Sequence, residues 1–297
     1  MITDLLLPLG LAFIMFAMGL ALKPADFALV FTRPKAMALG LLSQMVLLPV
    51  LALAVVQVFD LPRDFAVGLV ILAACPGGIT SNLLTHLAGG ATALAVSLTA
   101  VTSVAGALSV PVVVNLALMH VGGQAAPMDL PVAKMTMGVF AVATLPLIVA
   151  MVINARWPIV AARMEKLARH LATALFAFIV VGAFASQWRT MMDHAVDVLP
   201  PAVVLNVLAM LGALALARLG GLGGKERLAL VLETGLQNGA LGIFVAATLL
   251  QSPAMMVPSI VYALAMNVTA LAVIVSSRLS AMKKGGVFPR LFPKITR

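Results

Sequence analysis

Glu233 is the residue whose position demands most of its surroundings. The other acidic residues, Asp4, Asp26, Asp60, Asp64, Asp129, Glu165, Asp193, Asp197 and Glu226, fall in polar joints or at the edges of long apolar blocks. Glu233 alone lies well inside one, in the run Glu233-Thr234-Gly235-Leu236-Gln237-Asn238-Gly239, with no Lys or Arg at comparable depth. An unpaired acid at the centre of a bilayer costs about 2.5–3.5 kcal/mol on insertion scales, so something must compensate it. One compensator is a proton; the other is a cation held by hard oxygen ligands. Side-chain oxygens are plentiful at matching depth: Ser81, Asn82, Thr99 and Gln237, with Gln44 in the middle of another block. Several amide and hydroxyl oxygens around one carboxylate favour a metal cation over a proton alone, and sodium is the ion usually available.

The plainer reading of each residue carries weight. Ser and Thr are common in membrane helices as backbone or interhelical hydrogen-bond partners. The amides Gln44, Asn82 and Gln237 are harder to place in lipid, and their grouping around Glu233 points to function. Asn115, Asn206, Asn267, His86 and His170 read equally well as interhelical hydrogen-bonding residues, and the 18 methionines as core filler. Cys75, the single cysteine, invites a thiolate–metalloid reading, although a buried apolar cysteine is normally inert packing. No paired carboxylates, nucleophile with its base, or metal-ligand set appears at membrane depth, which argues against an enzyme.

The elements that must position these residues follow from composition. The hydrophobic fraction is 63% and the charged fraction 10%, too little polar surface to cover a soluble domain. Blocks of about 20 apolar residues, each long enough to cross a ~30 Å hydrocarbon core, can be drawn at Leu5–Leu22, Met37–Phe59, Ala66–Leu87, Thr92–Leu118, Val132–Ile153, Leu167–Ser186, Leu199–Ala217, Leu228–Leu250 and Met255–Val275. The expectation is an all-α integral membrane protein of nine transmembrane helices forming one domain over 1–297. The first block has no Lys or Arg before it and reads as a span rather than a cleaved signal peptide.

Of 19 basic residues, only Arg63, Lys134 and Arg189 fall in one set of alternate joints; all the others fall in the opposite set and in a basic tail over 279–297. The positive-inside rule then predicts the N-terminus outside and the C-terminus and tail in the cytoplasm of a plasma (inner) membrane protein. The +9 net charge is thus a matter of topology and lacks the aromatic interleaving of a nucleic-acid surface.

Two spans are interrupted. Cys75-Pro76-Gly77-Gly78 breaks the third, followed by Thr80, Ser81, Asn82 and Thr85; the Glu233 run breaks the eighth. If spans one to four and six to nine are inverted copies, these breaks are equivalent. Paired broken helices in an inverted repeat point to a midplane binding site in a secondary transporter.

Cys75-Pro76-Gly77-Gly78 with Ser81-Asn82, Glu233-x-x-x-Gln237-Asn238, and the opening Phe16-Ala17-Met18-Gly19-Leu20 with Lys23-Pro24-Ala25-Asp26-Phe27 together resemble the bile acid:sodium symporter family over essentially the full length. The resemblance implies a core domain (spans near 37–118 and 199–275, with broken helices near 66–87 and 228–250), a panel domain of the remaining spans, and a crossing of the two broken helices. Members have nine or ten spans, and this chain would lack the optional first. By resemblance, one sodium site would use Ser81, Asn82, Thr99 and Glu233. The second would use Gln44, Glu233, Gln237 and the carbonyls of Thr234 and Leu236, which makes two sodium ions the expectation. Thr80, Asn82, Asn238 and Asn267 are the expected substrate contacts, with Asn238 at the crossing. Ala95 stands where relatives can place a further hydroxyl, and Asn267 where they often have histidine. The implied function is sodium-coupled symport of an organic anion, either bile acid-like or a small carboxylate, with no obligate protein partner. The rivals are metalloid efflux through Cys75 and a ligand-sensing receptor that does not transport.

Overall fold

A computed structural model of the chain describes residues 2–121 and 132–283. The basic tail from residue 284 onward lies outside them, and the residues before it continue the last helix. Eleven principal helices follow in order: α1 Ile2–Ala21, α2 Pro34–Val58, α3 Arg63–Ala74, α4 Ile79–Ala88, α5 Thr92–Val121, α6 Val132–Arg156, α7 Pro158–Ser186, α8 Ala195–Leu219, α9 Gly224–Gly235, α10 Gly239–Leu249 and α11 Val257–Lys283. Short helical turns at Pro24–Ala28, Leu29–Thr32 and Trp188–Asp193 sit in the joints. The described residues contain no strand, as expected where the backbone must satisfy its own hydrogen bonds in lipid.

Among the described residues six helices are long and apolar enough to cross a membrane: α2, α5, α6, α7, α8 and the stretch Ala254–Leu279. The first apolar helix turns by 71° into the short helices that follow it, and the pair passes the same test together. The remaining four, α3, α4, α9 and α10, are the halves of the two interrupted segments.

Several helices outrun the apolar blocks that announce them. α7 begins at Pro158, well before the block at Leu167, and its first turns carry Arg163, Glu165, Lys166 and Arg169. Glu165 and Arg169 pair at 3.4 Å one turn apart. Backbone hydrogen bonding does not stop where hydrocarbon does, so hydropathy marks the immersed portion and the helix continues through the interface. At ~1.5 Å per residue the 29 residues of α7 exceed a ~30 Å core. Half-exposed Trp157 and Trp188 flank its two ends, where amphipathic rings suit the membrane–water boundaries.

Three helices contain a π turn, at Ser43–Leu47, Phe140–Thr144 and Val245–Leu249. In α2 and α6 a proline, Pro49 or Pro146, comes two residues after it. Proline has no N–H to donate and crowds the preceding turn, and a locally wider turn absorbs both. The first π turn holds Gln44.

α1 packs along α6 and α7, so closely that a Cβ on Gly19 would overlap the Leu147 carbonyl. A second set of contacts joins α8 to α9 and α11, α3 to α5, and α4 to α5, α9 and α11. The two interrupted segments lie within this second set.

Candidate functional site

The two breaks face each other. Cys75 and Gly78 are extended, as is Leu236, and an antiparallel bridge pairs Gly77 with Gln237. A break frees carbonyls at the end of one half-helix and N–H groups at the start of the next, and in hydrocarbon each needs a partner. The partners are on hand. Pro76 O accepts from Asn238 N at 2.9 Å, and Gly78 O accepts from Ser81 N at 3.2 Å. At the end of α9, Leu232 O takes Leu236 N at 3.0 Å, Thr234 O takes Gln237 Nε2 at 2.8 Å, and Gly235 O takes Asn206 Nδ2 at 2.7 Å. Asn238 caps α10, its Oδ1 accepting from Leu241 N at 3.1 Å.

Glu233 projects from the last turn of α9 into this crossing, 1% exposed, and is the one charged residue buried among those described. Ser81 Oγ donates to its Oε2 at 2.6 Å and Thr99 Oγ1 to its Oε1 at 2.5 Å. Thr99 Oγ1 also lies 3.3 Å from Asn82 Oδ1. The structure therefore brings Ser81, Asn82, Thr99 and Glu233 together from α4, α5 and α9. Gly77 makes this possible: a Cβ there would overlap Glu233 Oε1 and stand 2.8 Å from its Cδ. Ala95, one turn before Thr99, is fully buried and brings no side-chain oxygen.

A second polar group adjoins the first. One end of the Gln44 amide lies 3.1 Å from Gly77 N, 3.0 Å from Gln237 Oε1 and 3.2 Å from Gln237 Nε2, and its other end lies 3.1 Å from the Glu233 main-chain oxygen. With its oxygen toward the Gly77 N–H and its nitrogen toward the Glu233 carbonyl, Gln44 satisfies both. That orientation sets its oxygen against the Gln237 amide, 3.0 Å from Oε1 and 3.2 Å from the donor Nε2; in the opposite one Gln44 Nε2 donates to Gln237 Oε1 at 3.0 Å. Ser43 Oγ and Thr234 Oγ1 are hydrogen-bonded at 2.8 Å beside them. Gln44, Glu233, Thr234, Leu236 and Gln237 thus form one contiguous buried cluster.

Against the crossing lies a cavity of ≈ 60 Å³ bounded by Met15 and Met18 of α1, Phe176 of α7, and Thr80, Gln237 and Asn238. Asn238 uses its oxygen in the cap, so its Nδ2 is left facing the cavity, where it meets only the Met15 thioether sulfur at 3.5 Å, a weak acceptor. Thr80 and Asn238 are brought to this cavity; Asn82 is turned to the Glu233 group instead. Asn267 joins neither. It is exposed on α11, on the stripe that carries Leu264, Val268 and Leu271, and its Nδ2 donates to Ala263 O of its own helix at 2.6 Å. It was expected among the substrate contacts, but helical periodicity puts it on an outer face, away from the cavity.

A sequence model described as the Sodium Bile acid symporter family matches residues 8–194. The chain belongs to this family. It is 27% identical to "Probable sodium/metabolite cotransporter BASS2, chloroplastic" of rice, over 87% of this chain and 60% of that protein. It is also 27% identical to "Uncharacterized sodium-dependent transporter YocS" of Bacillus subtilis (strain 168), over 87% of this chain and 78% of that one. A second rice protein, "Probable sodium/metabolite cotransporter BASS1, chloroplastic", is 26% identical over 84% of this chain and 60% of its own length. The chain spans 60% of the length of these two rice relatives. These relatives are named as transporters.

For this family member, sequence reasoning missed four contributors. Ser43 and Met15 carried no signal beyond ordinary helix composition. Asn206 was visible as an amide inside an apolar block but read as interhelical packing. Tyr262, the single tyrosine, sits fully buried with its hydroxyl 3.1 Å from Gly235 O. Cys75 is 1% exposed, donates to Ile71 O at 3.3 Å, and does not line the central cavity.

Proposed function

We propose that the chain is a secondary transporter that couples an organic anion to two sodium ions, and the observation that carries this reading is the oxygen shell closed around Glu233. Both carboxylate oxygens accept from hydroxyls whose own lone pairs are available to a cation once their protons turn away. The first ion would take Ser81, Asn82, Thr99 and Glu233; the second Gln44, Glu233, Gln237 and the carbonyls of Thr234 and Leu236. The Gln44 and Gln237 amides, buried and packed on each other beside Glu233, support the second assignment by supplying side-chain oxygens where a cation would need them. The relatives' printed names support sodium as the ion.

The anion would dock at Thr80 and Asn238, where α10 begins and the Asn238 Nδ2 lacks a strong acceptor. Substrate pockets usually enclose ~300–1,000 Å³, and ≈ 60 Å³ admits only a few waters. Loading therefore needs α1 and α7 to withdraw, which supports a panel of α1, α6 and α7 rocking against a core of the other helices. Counting each interrupted pair as one crossing gives nine, with the N-terminus outside and the C-terminus in the cytoplasm of a plasma (inner) membrane. Cys75 bonded within its own helix and away from the cavity gives metalloid efflux no support.

Purified protein in proteoliposomes tests the proposal, with carboxylates first screened by ligand-dependent thermal stabilisation. Two sodium ions with one monovalent anion carry one net charge, worth about 2.3 kcal/mol per 100 mV. Uptake down a sodium gradient is expected to rise with negative-inside potential; uptake indifferent to sodium and voltage overturns the reading. Met15→Ala is expected to enlarge the cavity and extend uptake to bulkier carboxylates with the sodium requirement intact. An unchanged size profile would show that Met15 does not set the limit.

A further inference from the structure

The end of α9 is held from a direction that neither ion group explains. Asn206 of α8 and Tyr262 of α11 are both fully buried, and both donate to one main-chain atom, Gly235 O, at 2.7 and 3.1 Å. The two donors lie 3.0 Å from each other. Gly235 O can only accept, which leaves the Asn206 amide one orientation: nitrogen toward Gly235 and Tyr262, oxygen toward Thr269, whose Oγ1 lies 2.5 Å away. α8 comes close enough that a Cβ on Gly235 would overlap Met210.

Interhelical hydrogen bonds in membrane proteins usually join side chains between intact helices and contribute little. Here the acceptor is a carbonyl that exists only because α9 stops. It lies between Thr234 and Leu236, whose carbonyls belong to the second ion group. Rotating the Gly235 peptide would swing both neighbours, so fixing it fixes them. At the end of α9, Thr234 O is held by Gln237, a side chain of the second ion group. Gly235 O, next to it, is tied by two side chains with no part in either ion set.

We infer that Asn206 and Tyr262 are positioning residues for the second sodium ion, holding the Gly235 carbonyl so that the Thr234 and Leu236 carbonyls keep their aim. The inference rests on the proposed sodium assignment. It touches neither the Ser81, Asn82 and Thr99 group nor the substrate cavity, so its effect should be confined to one ion.

The test is thermal unfolding of the purified full chain in NaCl against KCl at equal ionic strength, with sodium chloride alone as the probe. The half-saturating sodium concentration is read from each variant's own rise above its potassium midpoint. Asn206→Leu is expected to raise that concentration about tenfold, and Tyr262→Phe, which leaves one donor, about threefold. The Tyr262→Phe effect is expected to vanish in a Gln44→Leu background and to persist in a Thr99→Val background, since coupled residues depart from additivity and independent ones do not. Lower midpoints in potassium with wild-type half-saturation would make the pair structural and overturn the inference. If Asn206→Leu does not fold, Tyr262→Phe with its two backgrounds decides alone. Absence of sodium-specific stabilisation in the wild-type protein would instead remove the ion assignment and this inference with it.

Discussion

Glu233→Gln is expected to lower sodium-driven accumulation at least about 100-fold while the protein still folds and inserts. The change is nearly isosteric, so Ser81 and Thr99 keep an oxygen to donate to on one side of the amide. What disappears is the single negative charge buried among the described residues. Removing one partner of a buried charge pair costs about 3–5 kcal/mol, whereas a 100-fold loss of ion affinity needs only about 2.7 kcal/mol. Electrostatics therefore dominates over any packing change. Glu233→Asp keeps the charge but draws it back from Ser81 and Thr99, and is expected to retain sodium selectivity at reduced affinity. Accumulation measured across a series of sodium gradients separates these cases. A Glu233→Gln protein that concentrates its solute with unchanged sodium dependence would sink the ion assignment.

Gly77→Ala is expected to be nearly as damaging, for a steric reason. The added carbon would overlap Glu233 Oε1, and Gly77 is also bridged to Gln237 across the crossing. Either the carboxylate swings out of its shell or the two breaks separate. Overpacking of this kind costs about 1–3 kcal/mol, which converts to roughly a 5- to 150-fold weaker sodium response. Gly78→Ala supplies the internal contrast, because its nearest neighbour, Thr80 Oγ1, stands at an ordinary 3.5 Å. It is expected to keep wild-type sodium dependence. Equal loss from both substitutions would mean that general flexibility of the break, rather than contact with Glu233, is what the glycines provide.

The two breaks and the Glu233 group were legible because polar and helix-breaking residues stand out against an apolar background. Ser81, Thr99, Gln44 and Gln237 are conspicuous at their depth, and a lone acid forces a search for partners. The role of Gly77 was not legible: which atom it faces depends on how two segments distant in sequence cross. Asn206 and Tyr262 were under-read for the same reason, since their target is a main-chain carbonyl on another helix. Asn267 shows the converse. Its residue type suggested function, but its register with Leu264 and Leu271 turns it outward. Hydropathy set the helix positions well where they are immersed and poorly where they continue past the interface, as α7 does through Arg163 and Arg169. It also counts each interrupted pair as one block, while the geometry has two short helices whose ends carry the site.

Everything proposed for transport depends on sodium being chosen by the oxygens around Glu233. Calorimetric titration of the purified protein with NaCl, and separately with KCl at constant ionic strength, measures that choice without requiring the substrate. The expected result is a saturable heat with sodium and none with potassium, absent from Glu233→Gln. Saturable sodium heat of the same size in Glu233→Gln, or none in the wild-type protein, would contradict it.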